Sequence, residues 1–524
     1  MHYFIEAAAM TERSELEIKL ALPLTSVGHL KEIPFIQALK AVPKRATEVS
    51  IYFDTDKQRL RKNGLMLRVR RIGSRYIQTI KASRDGGLFE RGEWESEIAD
   101  GEPDLSLVRN TPLKPLMNGK LRRQLKPMFE TRVHRTVYPI AKRGHVMELA
   151  IDRGKIDTGV NSLPLCELEL ELKRGNEPDL FSIARELVHL LPAQLILKSK
   201  SERGYELING NLGAPVKAVP VNLTICASAR DGFKKIGGAC LKQVIDNELA
   251  IIKENSEGVH QMRVGLRRLR AAMSLFSALL HDPQTAAIKT ELEWFTGELA
   301  PAREIEVLMN RVVKPPRKKG DSRRNGVPAL LQELGEKRKA ALERVRYAIA
   351  SARFRALTLD VAAWLETGQW MSPEDDLVRS RGVAPIKGFA VDQLGRRWRR
   401  VRKKGKALAQ LDALNRHKLR IRVKKLRYAA EFFGDLFRGK RASKRRKKFV
   451  AALEHLQDGL GDLNDIMVDE NLITATGLRH QRSNPNRVFA AGLLTGREDA
   501  GLDAAMAVAM EGYAKFVEIK PFWQ

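Results

Sequence analysis

The hydrophobic periodicity of this chain changes near residue 210, and that change restricts most strongly what the chain can fold into. Before it, short segments alternate apolar and polar residues between turn residues, which is typical of half-buried strands. Seven or eight such strands, with helices only at 26–41 and 180–191, predict a closed antiparallel barrel. The alternating segments are 15–20, 48–53, 65–70, 76–81, 93–98, 145–151 and 165–172.

After a Gly- and Pro-rich linker at 209–222, the period becomes helical. Lys314–Pro328 is rich in Pro, Gly and charge and is predicted to be a disordered loop. We therefore predict a multidomain α+β protein with an all-α C-terminal half. The helical segments are 224–253, 256–281, 285–312, 328–366, 386–410, 415–437, 441–470 and 485–516.

The charge of the chain is strongly positive, with 93 Lys and Arg residues against 63 Asp and Glu residues and a net charge of +30. Such an excess predicts a polyanionic partner: nucleic acid, an anionic membrane surface or a phosphate polymer. No apolar run reaches the roughly 18 residues of a membrane span. Three widely spaced cysteines exclude a thiolate zinc knuckle and a disulfide framework. The short apolar stretch 4–10 is a poor signal peptide, Met10 is an alternative start, and we expect a cytoplasmic protein.

Charged residues occupy every second position of several predicted strands, and this places their side chains on one face. If the apolar faces pack outward against helices, the charged faces line the barrel. Carboxylate oxygens are the ligands that Mg²⁺ or Mn²⁺ prefers, and Lys and Arg neutralise polyphosphate. The carboxylates are Glu15, Glu17, Glu167, Glu169 and Glu171, and the cations are Lys19, Arg68, Arg70, Lys81, Arg135 and Lys200.

A single strand of this kind is more often a solvated sheet face with cross-strand charge pairs. Three same-face carboxylates repel one another unless water or a metal ion compensates them. The combination of both charge sets in one short domain favours metal-dependent hydrolysis of a phosphate chain. The sequence has no evident Ser/His/Asp or Cys/His nucleophile set and no G-x-x-x-x-G-K-[ST] loop.

Residues 12–208 also resemble a known family, the CYTH domain of the triphosphate tunnel metalloenzymes. The resemblance implies an eight-stranded antiparallel tunnel, dependence on Mg²⁺ or Mn²⁺, and attack on a triphosphate. The motifs that carry it are Glu15-x-Glu-x-Lys19, Tyr52-Phe-Asp-Thr55, Leu67-Arg-x-Arg70, Thr79-Ile-Lys81, Arg91-x-Glu-Trp94, Arg135, Cys166-Glu-x-Glu-x-Glu171 and Ser199-Lys-x-x-Arg-Gly-Tyr205.

The same resemblance suggests roles for the charged residues. Glu15, Glu17 and the Glu167/Glu169/Glu171 set become metal ligands, with Lys19, Glu15 and Glu17 at the catalytic centre. Glu148 and Asp152 assist. Members of this family include inorganic triphosphatases, thiamine triphosphatases, adenylyl cyclases and RNA triphosphatases. The tunnel positions show no base-stacking aromatic set, which favours inorganic triphosphate. The phosphate ligands are Lys19, Arg68, Arg70, Lys81, Arg135 and Lys200.

The helical half contains an internal repeat in which a His is followed by basic residues at +3, +7, +8 and +10. Basic residues at helical spacing repel one another, so the repeated pattern suggests that an external anion compensates them. A charge run such as Lys440–Lys448 is more often a solvated face, and a lone helical His more often a packing residue. The two stripes are His260, Arg263, Arg267 and Arg270, and His417, Arg420, Lys424 and Arg427.

These duplicated helices resemble the CHAD domain over residues 223–520. The resemblance implies two pseudo-symmetric four-helix bundles around a basic groove that binds inorganic polyphosphate, with no chemistry of its own. Three hypotheses follow: a triphosphatase tethered to a polyphosphate-binding module, a non-catalytic scaffold at polyphosphate granules, and a nucleic-acid-binding protein. Few aromatics interleave with the basic helices, and no helix-turn-helix is evident, which disfavours the third hypothesis.

Overall fold

The computed structural model describes residues 11–26, 28–37, 42–83, 87–142, 144–224, 226–313, 327–478 and 485–524. Met10 and most of the predicted loop at 314–328 lie outside these residues. The chain divides into two compact units that are interleaved in sequence. The first unit contains the residues up to Val216, Leu241–Gly258 and Ile349–Gly368, and the second contains Lys217–Cys240, Val259–Ala348 and Gln369–Gln524.

Nine antiparallel strands form one sheet in the described part of the first unit. Each of the seven predicted alternating segments lies within a strand. The sixth strand escaped the alternation pattern because Pro127 and Pro139 interrupt it, and proline cannot donate to a ladder. The strands are β1 (Thr11–Ala21), β2 (Lys44–Asp54), β3 (Leu65–Ile72), β4 (Arg75–Ser83), β5 (Glu90–Ile98), β6 (Lys126–Lys142), β7 (His145–Asp157), β8 (Ser162–Arg174) and β9 (Gln194–Ile196).

The sheet closes on itself. The strand order is β5-β4-β3-β2-β6-β7-β8-β1-β9, and β1 also pairs with β5. The first half of β1 pairs with β5 as far as Leu16 opposite Glu90. Its second half pairs with β8 on one side, while Lys19–Ala21 pair with β9 on the other. Strands β1–β8 therefore make the eight-stranded barrel, and β9 is a short addition beside the closure.

The apolar faces of the strands point away from the barrel axis. Ile18 and Leu20 on β1 are fully buried there. Outside β3, β4 and β5, Leu67, Ile80 and Trp94 pack with other apolar residues in one core cluster. Because the apolar side chains pack outside the strands, the alternating polar side chains are left to line the interior.

Short helices and turns cover the barrel. The helical pieces predicted over 26–41 are found in the described part of that segment as 3₁₀ turns at Leu24–Ser26 and Gly28–Glu32 followed by a four-residue helix. That helix begins at Pro34, whose missing N–H suits a first helical position. The predicted helix at 180–191 is confirmed as α4. These helices are α1 (Pro34–Gln37), α2 (Arg59–Lys62), α3 (Gly119–Gln124), α4 (Glu177–Leu190) and α5 (Lys200–Ile208).

The rest of the described chain is helical, as predicted. The two His-containing helices, α8 and α14, are each 20 residues long. Each is followed by a short 3₁₀ turn and a long helix, and this order agrees with duplication. The helices are α6 (Ala229–Ile245), α7 (Glu248–Ile252), α8 (Ser256–Leu275), α9 (Pro283–Val313), α10 (Val327–Ala350), α11 (Ala352–Thr367), α12 (Asp376–Val383), α13 (Ile386–Gly405), α14 (Ala413–Phe432), α15 (Lys440–Leu478) and α16 (Pro485–Glu518).

No described helix combines the length and the apolar content needed to cross a membrane.

Candidate functional site

A cavity of about 890 Å³ occupies the barrel interior and its rim. In the described part of the chain, nine acidic and nine basic side chains line it, so their formal charges balance. The acidic residues are Glu15, Glu17, Glu90, Glu93, Glu95, Glu148, Glu169, Glu171 and Glu202, and the basic residues are Lys19, Arg61, Arg68, Arg70, Lys81, Arg135, Lys173, Lys200 and Lys242.

One wall of the cavity is formed by β1 and β8. Their register places Glu17 opposite Glu171 and Lys19 opposite Glu169. The Lys19 ammonium lies 2.7 Å from Glu169 Oε1 and 2.5 Å from Glu17 Oε2. Burial, together with the nearby Glu169 charge, raises the pKa of Glu17 to about 7. Burial also raises the pKa of Glu171. Burial therefore disfavours the charged forms of Glu17 and Glu171, whereas Lys81 and Lys19 overcome burial at Glu15 and lower its pKa.

A deeper cluster brings together Asp152, Glu167 and Glu169, whose carboxylate oxygens lie within 4.8 Å of one another. The Lys200 ammonium lies 2.7 Å from both Asp152 Oδ2 and Glu169 Oε1, and it also contacts Glu167. Despite burial, these three carboxylates hold the pKa of Lys200 well above its usual value. Lys200 is the first residue of α5, where a cation opposes the helix dipole, so the carboxylates also stabilise that position.

Two arginines complete this deeper cluster. Arg135 donates to Asp152 through Nε at 2.7 Å and Nη2 at 2.6 Å, and Nη2 also donates to Glu169. Arg203 donates to Glu167, which is fully buried and is not among the cavity-lining residues. Protein cations thus compensate the Asp152, Glu167 and Glu169 cluster, in contrast to the wall at Glu17.

The adjoining wall is formed by β3, β4 and β5, and it meets β1 where β5 pairs with that strand. The Lys81 ammonium lies 3.0 Å from Glu93 Oε1 and also contacts Glu15. Arg70 donates to Glu95 at 3.1 Å, and the Arg68 guanidinium lies 3.8 Å from the same carboxylate. Burial opposes the charge of Lys81, but Glu15 and Glu93 outweigh it and raise its pKa. Every predicted phosphate-binding cation of the tunnel thus lines one cavity and is held there by carboxylates.

Sequence reasoning missed several functional side chains. Glu93 and Glu95 position the basic wall, and their alternation on β5 was the signal that could have found them. Glu48 lies 3.4 Å from Arg70 and is also buried. Arg203 follows Lys200 by three residues, one turn along α5, so its participation could have been expected from helical spacing.

The residues at Glu17 fit a divalent cation. Carboxylate oxygens are the donors that Mg²⁺ and Mn²⁺ take, and a divalent cation would stabilise the charged form of Glu17, which burial and Glu169 disfavour. Glu15, Glu17, Glu169 and Glu171 all line the cavity and could share such an ion. Glu167, also a predicted ligand, lies against Lys200 and Arg203 instead.

In the second unit, the structure places the two predicted basic stripes on α8 and α14. Acidic residues hold the last residue of each stripe: Arg270 lies 2.9 Å from Glu293, and Arg427 lies 2.6 Å from Glu431. Arg263 is half-buried, and burial together with Arg267 lowers its pKa to about 10. His260 is half-buried and His417 is exposed. Arg420 and Lys424 are half-buried on α14.

A separate basic pocket of about 360 Å³ lies between α13, α14 and the end of α8. No carboxylate is among its lining residues in the part of the chain described. Burial, followed by Arg400 and Arg396, lowers the pKa of Arg397 to about 10. Burial and Arg397 also lower the pKa of Lys425. The cations of this α13–α14 basic pocket are Arg396, Arg397, Arg400, Arg422 and Lys425. All five come from the basic segment 396–427, in which Asp412 is the only acidic residue.

Comparison with known proteins finds a family match in each half of the chain. Residues 13–205 match the family model of the CYTH domain, and residues 235–474 match that of the CHAD domain. The chain therefore carries a CYTH domain followed by a CHAD domain. It is 31% identical over 160 residues to an inorganic triphosphatase of Haemophilus influenzae; the matched part covers 30% of this chain and 44% of that relative.

Two solved structures are also similar. The CHAD domain of the plant Ricinus communis is 28% identical, with a TM-score of 0.49, and the match covers 57% of this chain and 96% of that one. An adenylyl cyclase-like protein of Hippeastrum, described as having a dominant triphosphatase activity, is 19% identical with a TM-score of 0.29. That match covers 38% of this chain and 97% of the other.

Proposed function

We propose that the tunnel hydrolyses inorganic triphosphate to diphosphate and phosphate with Mg²⁺ or Mn²⁺. The observation that carries this proposal is the cavity itself, where an acidic wall at Glu15 and Glu17 adjoins a basic wall at Arg68, Arg70 and Lys81. The charges of the lining residues balance, so a polyanion alone gains little net attraction. The carboxylates would hold a divalent ion, whose charge would compensate them, and the Lys and Arg side chains would then bind phosphate oxygens.

The side chains of the tunnel would divide the work as follows. Glu15, Glu17, Glu169 and Glu171 hold the ion, which supplies Lewis-acid stabilisation of charge on phosphate oxygens. The cations orient the phosphate chain and stabilise the leaving diphosphate as water attacks the terminal phosphorus and the P–O anhydride bond breaks. Asp152 and Glu167 hold Lys200 in place. These cations are Lys19, Arg68, Arg70, Lys81, Arg135 and Lys200.

The aromatic residues of the cavity favour a substrate without a base. Tyr52 and Tyr205 are the aromatic residues among those lining it in the described chain. Tyr52 is buried and stacked on Phe129, with ring centroids 4.5 Å apart. Tyr205 packs edge-on against Phe129 and donates its hydroxyl to Asp54. Because both rings are already engaged, neither offers a free face to stack a nucleobase or a thiamine ring.

The test is phosphate release from inorganic triphosphate, ATP and thiamine triphosphate, each with Mg²⁺ or Mn²⁺. We compare wild type with Glu15→Gln/Glu17→Gln and with the control Glu97→Gln, an exposed residue paired with Arg75 on the barrel surface. Metal-dependent release that is strongest for inorganic triphosphate and lost only in the double variant supports the proposal. Faster release from ATP or thiamine triphosphate would reassign the substrate, and no release at all would favour a binding scaffold.

We further propose that the helical domain binds inorganic polyphosphate without chemistry. The α13–α14 basic pocket supports this, because burial and neighbouring cations lower the pKa values of half-buried Arg397 and Lys425, and an anion would relieve that repulsion. Tethering such a module to the tunnel raises the effective concentration of phosphate chains near it. Competition between polyphosphate and single-stranded nucleic acid for the domain distinguishes the two polyanions, since both bind with steep salt dependence. A cytoplasmic location and association with polyphosphate granules belong to the same proposal.

A further inference from the structure

Glu366, near the end of α11, makes a contact that the tunnel function does not use directly. This residue follows the linker by more than a hundred positions, yet it belongs to the same compact unit as the barrel. It is 3% exposed, and its Oε1 accepts a hydrogen bond from the backbone N–H of Leu88 at 2.9 Å. A Cβ at Gly87 would lie 2.9 Å from its Oε2, so glycine permits this approach.

The backbone at Gly87–Phe89 lies beside the place where the barrel closes. Gly87 and Leu88 line the cavity. The next carbonyl, that of Phe89, accepts a hydrogen bond from the N–H of Glu17 at 3.4 Å. This bond continues the β1–β5 ladder one step beyond Leu16 opposite Glu90. Two hydrogen bonds and the backbone of two residues, Leu88 and Phe89, therefore connect the Glu366 carboxylate to the backbone N–H of Glu17.

The helix that carries Glu366 is itself firmly placed. α11 packs against α4 and contacts β9, the strand added beside the closure. Its apolar residues are buried around most of its circumference, with Trp364 fully buried. Asp360 on its exposed side accepts from Arg185 of α4 at 2.6 Å. Phe89 also packs edge-on against Phe181 of α4, with centroids 5.5 Å apart. A displacement of α11 is therefore transmitted to Leu88 and Phe89.

We propose that Glu366 is a positioning residue for the acidic wall of the tunnel and that α11 helps to fix the geometry of the tunnel site. By holding Leu88, Glu366 fixes the Phe89 carbonyl and hence the backbone of Glu17. α11, which follows the barrel in the sequence but belongs to the same compact unit, thus sets the geometry of the candidate metal ligand Glu17. The kinetic part of this inference rests on the proposed triphosphatase function, while its structural part does not.

The experiment uses the full chain with Glu366→Leu, Glu366→Gln and the control Asp360→Asn. Leucine keeps the volume but accepts no hydrogen bond, whereas the glutamine carbonyl can still accept from Leu88. We measure hydrogen exchange at the Leu88 amide and the Mn²⁺ concentration that half-saturates triphosphate hydrolysis. For Glu366→Leu we expect the exchange rate of the Leu88 amide and the half-saturating Mn²⁺ concentration each to rise about tenfold. A change of this size corresponds to the loss of roughly one hydrogen bond to a charged group. Glu366→Gln and Asp360→Asn should stay within about threefold of wild type.

The two readouts separate the possible results. A merely structural defect lowers the active fraction and kcat without changing half-saturating Mn²⁺, and that result would overturn the positioning role. Unchanged exchange at Leu88 in folded Glu366→Leu would overturn the contact itself. If Glu366→Leu does not fold, Gly87→Ala perturbs the same contact from the other side, and the same two rises are expected. If the wild type hydrolyses no triphosphate, the proposed function fails, while hydrogen exchange still decides the contact.

Discussion

The tunnel cavity and the α13–α14 basic pocket both collect cations, but they do so in opposite electrostatic settings. In the tunnel, Lys200 and Arg135 lie against buried carboxylates, and these raise the pKa of both cations. In the basic pocket, Arg397 and Lys425 face other cations and no lining carboxylate in the described chain, and their pKa values are lowered. The tunnel is thus organised before any ligand binds, whereas the pocket is left with repulsion that a ligand could relieve.

This difference suggests which site does chemistry. Preorganised charges that need no rearrangement are what stabilise a transition state, and paired acids and bases hold such charges in fixed positions. A cluster of like charges gains binding energy from any polyanion of suitable length but positions no reacting atom. The contrast predicts that neutralising one charge lowers the stability of the protein in the tunnel but not in the basic pocket.

The largest effect is expected for Glu169→Gln in the tunnel. Glu169 accepts from Lys19, Lys200 and Arg135, so its loss leaves three buried cations with less compensation. We expect the free energy of unfolding to fall by about 3 kcal/mol and triphosphate hydrolysis to fall at least about 100-fold. Chemical denaturation and phosphate release measure the two. The control Glu97→Gln, which loses an exposed pair with Arg75, should leave the stability close to that of the wild type. Equal losses in the two variants would contradict the proposed role of the network.

The next effect is on pH dependence. Burial and Glu169 raise the pKa of Glu17 from 4.5 to about 7, so the folded, metal-free protein binds more protons between these values than the unfolded chain does. Its stability should therefore fall as the pH rises through this window, since the charged form is disfavoured. Mn²⁺ must displace the same proton, so its affinity should weaken by up to about tenfold per pH unit below 7. Calorimetric titration with Mn²⁺ at several pH values from 5.5 to 8 measures this change in affinity. Glu17→Gln should remove the slope, and a slope that persists there would assign it to another group.

The smallest effect is expected for Lys425→Met in the basic pocket. Because burial and neighbouring cations disfavour the charge of Lys425, removing it should not lower the free energy of unfolding. The affinity for polyphosphate should fall about tenfold, because the variant loses one charge-assisted contact. Denaturation and fluorescence titration with polyphosphate test both parts, with exposed Lys444→Met of α15 as the matched control. Loss of stability without loss of affinity would show a structural lysine and remove the contrast between the two sites.

Alternation and spacing in the sequence predicted much of this architecture. The seven alternating segments lie in strands because side-chain direction reverses at each residue of a strand, whatever the partner. The same rule placed Glu15, Glu17 and Lys19 on one face and so predicted part of the acidic wall. It did not predict β6, because Pro127 and Pro139 interrupt the alternation there.

What the sequence by itself determined is therefore which side chains share a face and which half of the chain is strand or helix, because both follow from local backbone geometry. Only the tertiary structure decided which faces meet. Packing between distant segments brought Lys81 to Glu15, 66 positions away along the chain, and Lys200 to Glu167, 33 positions away. It also placed Glu366 at Leu88, across 278 positions. Such contacts depend on packing between distant segments, and no local periodicity encodes them.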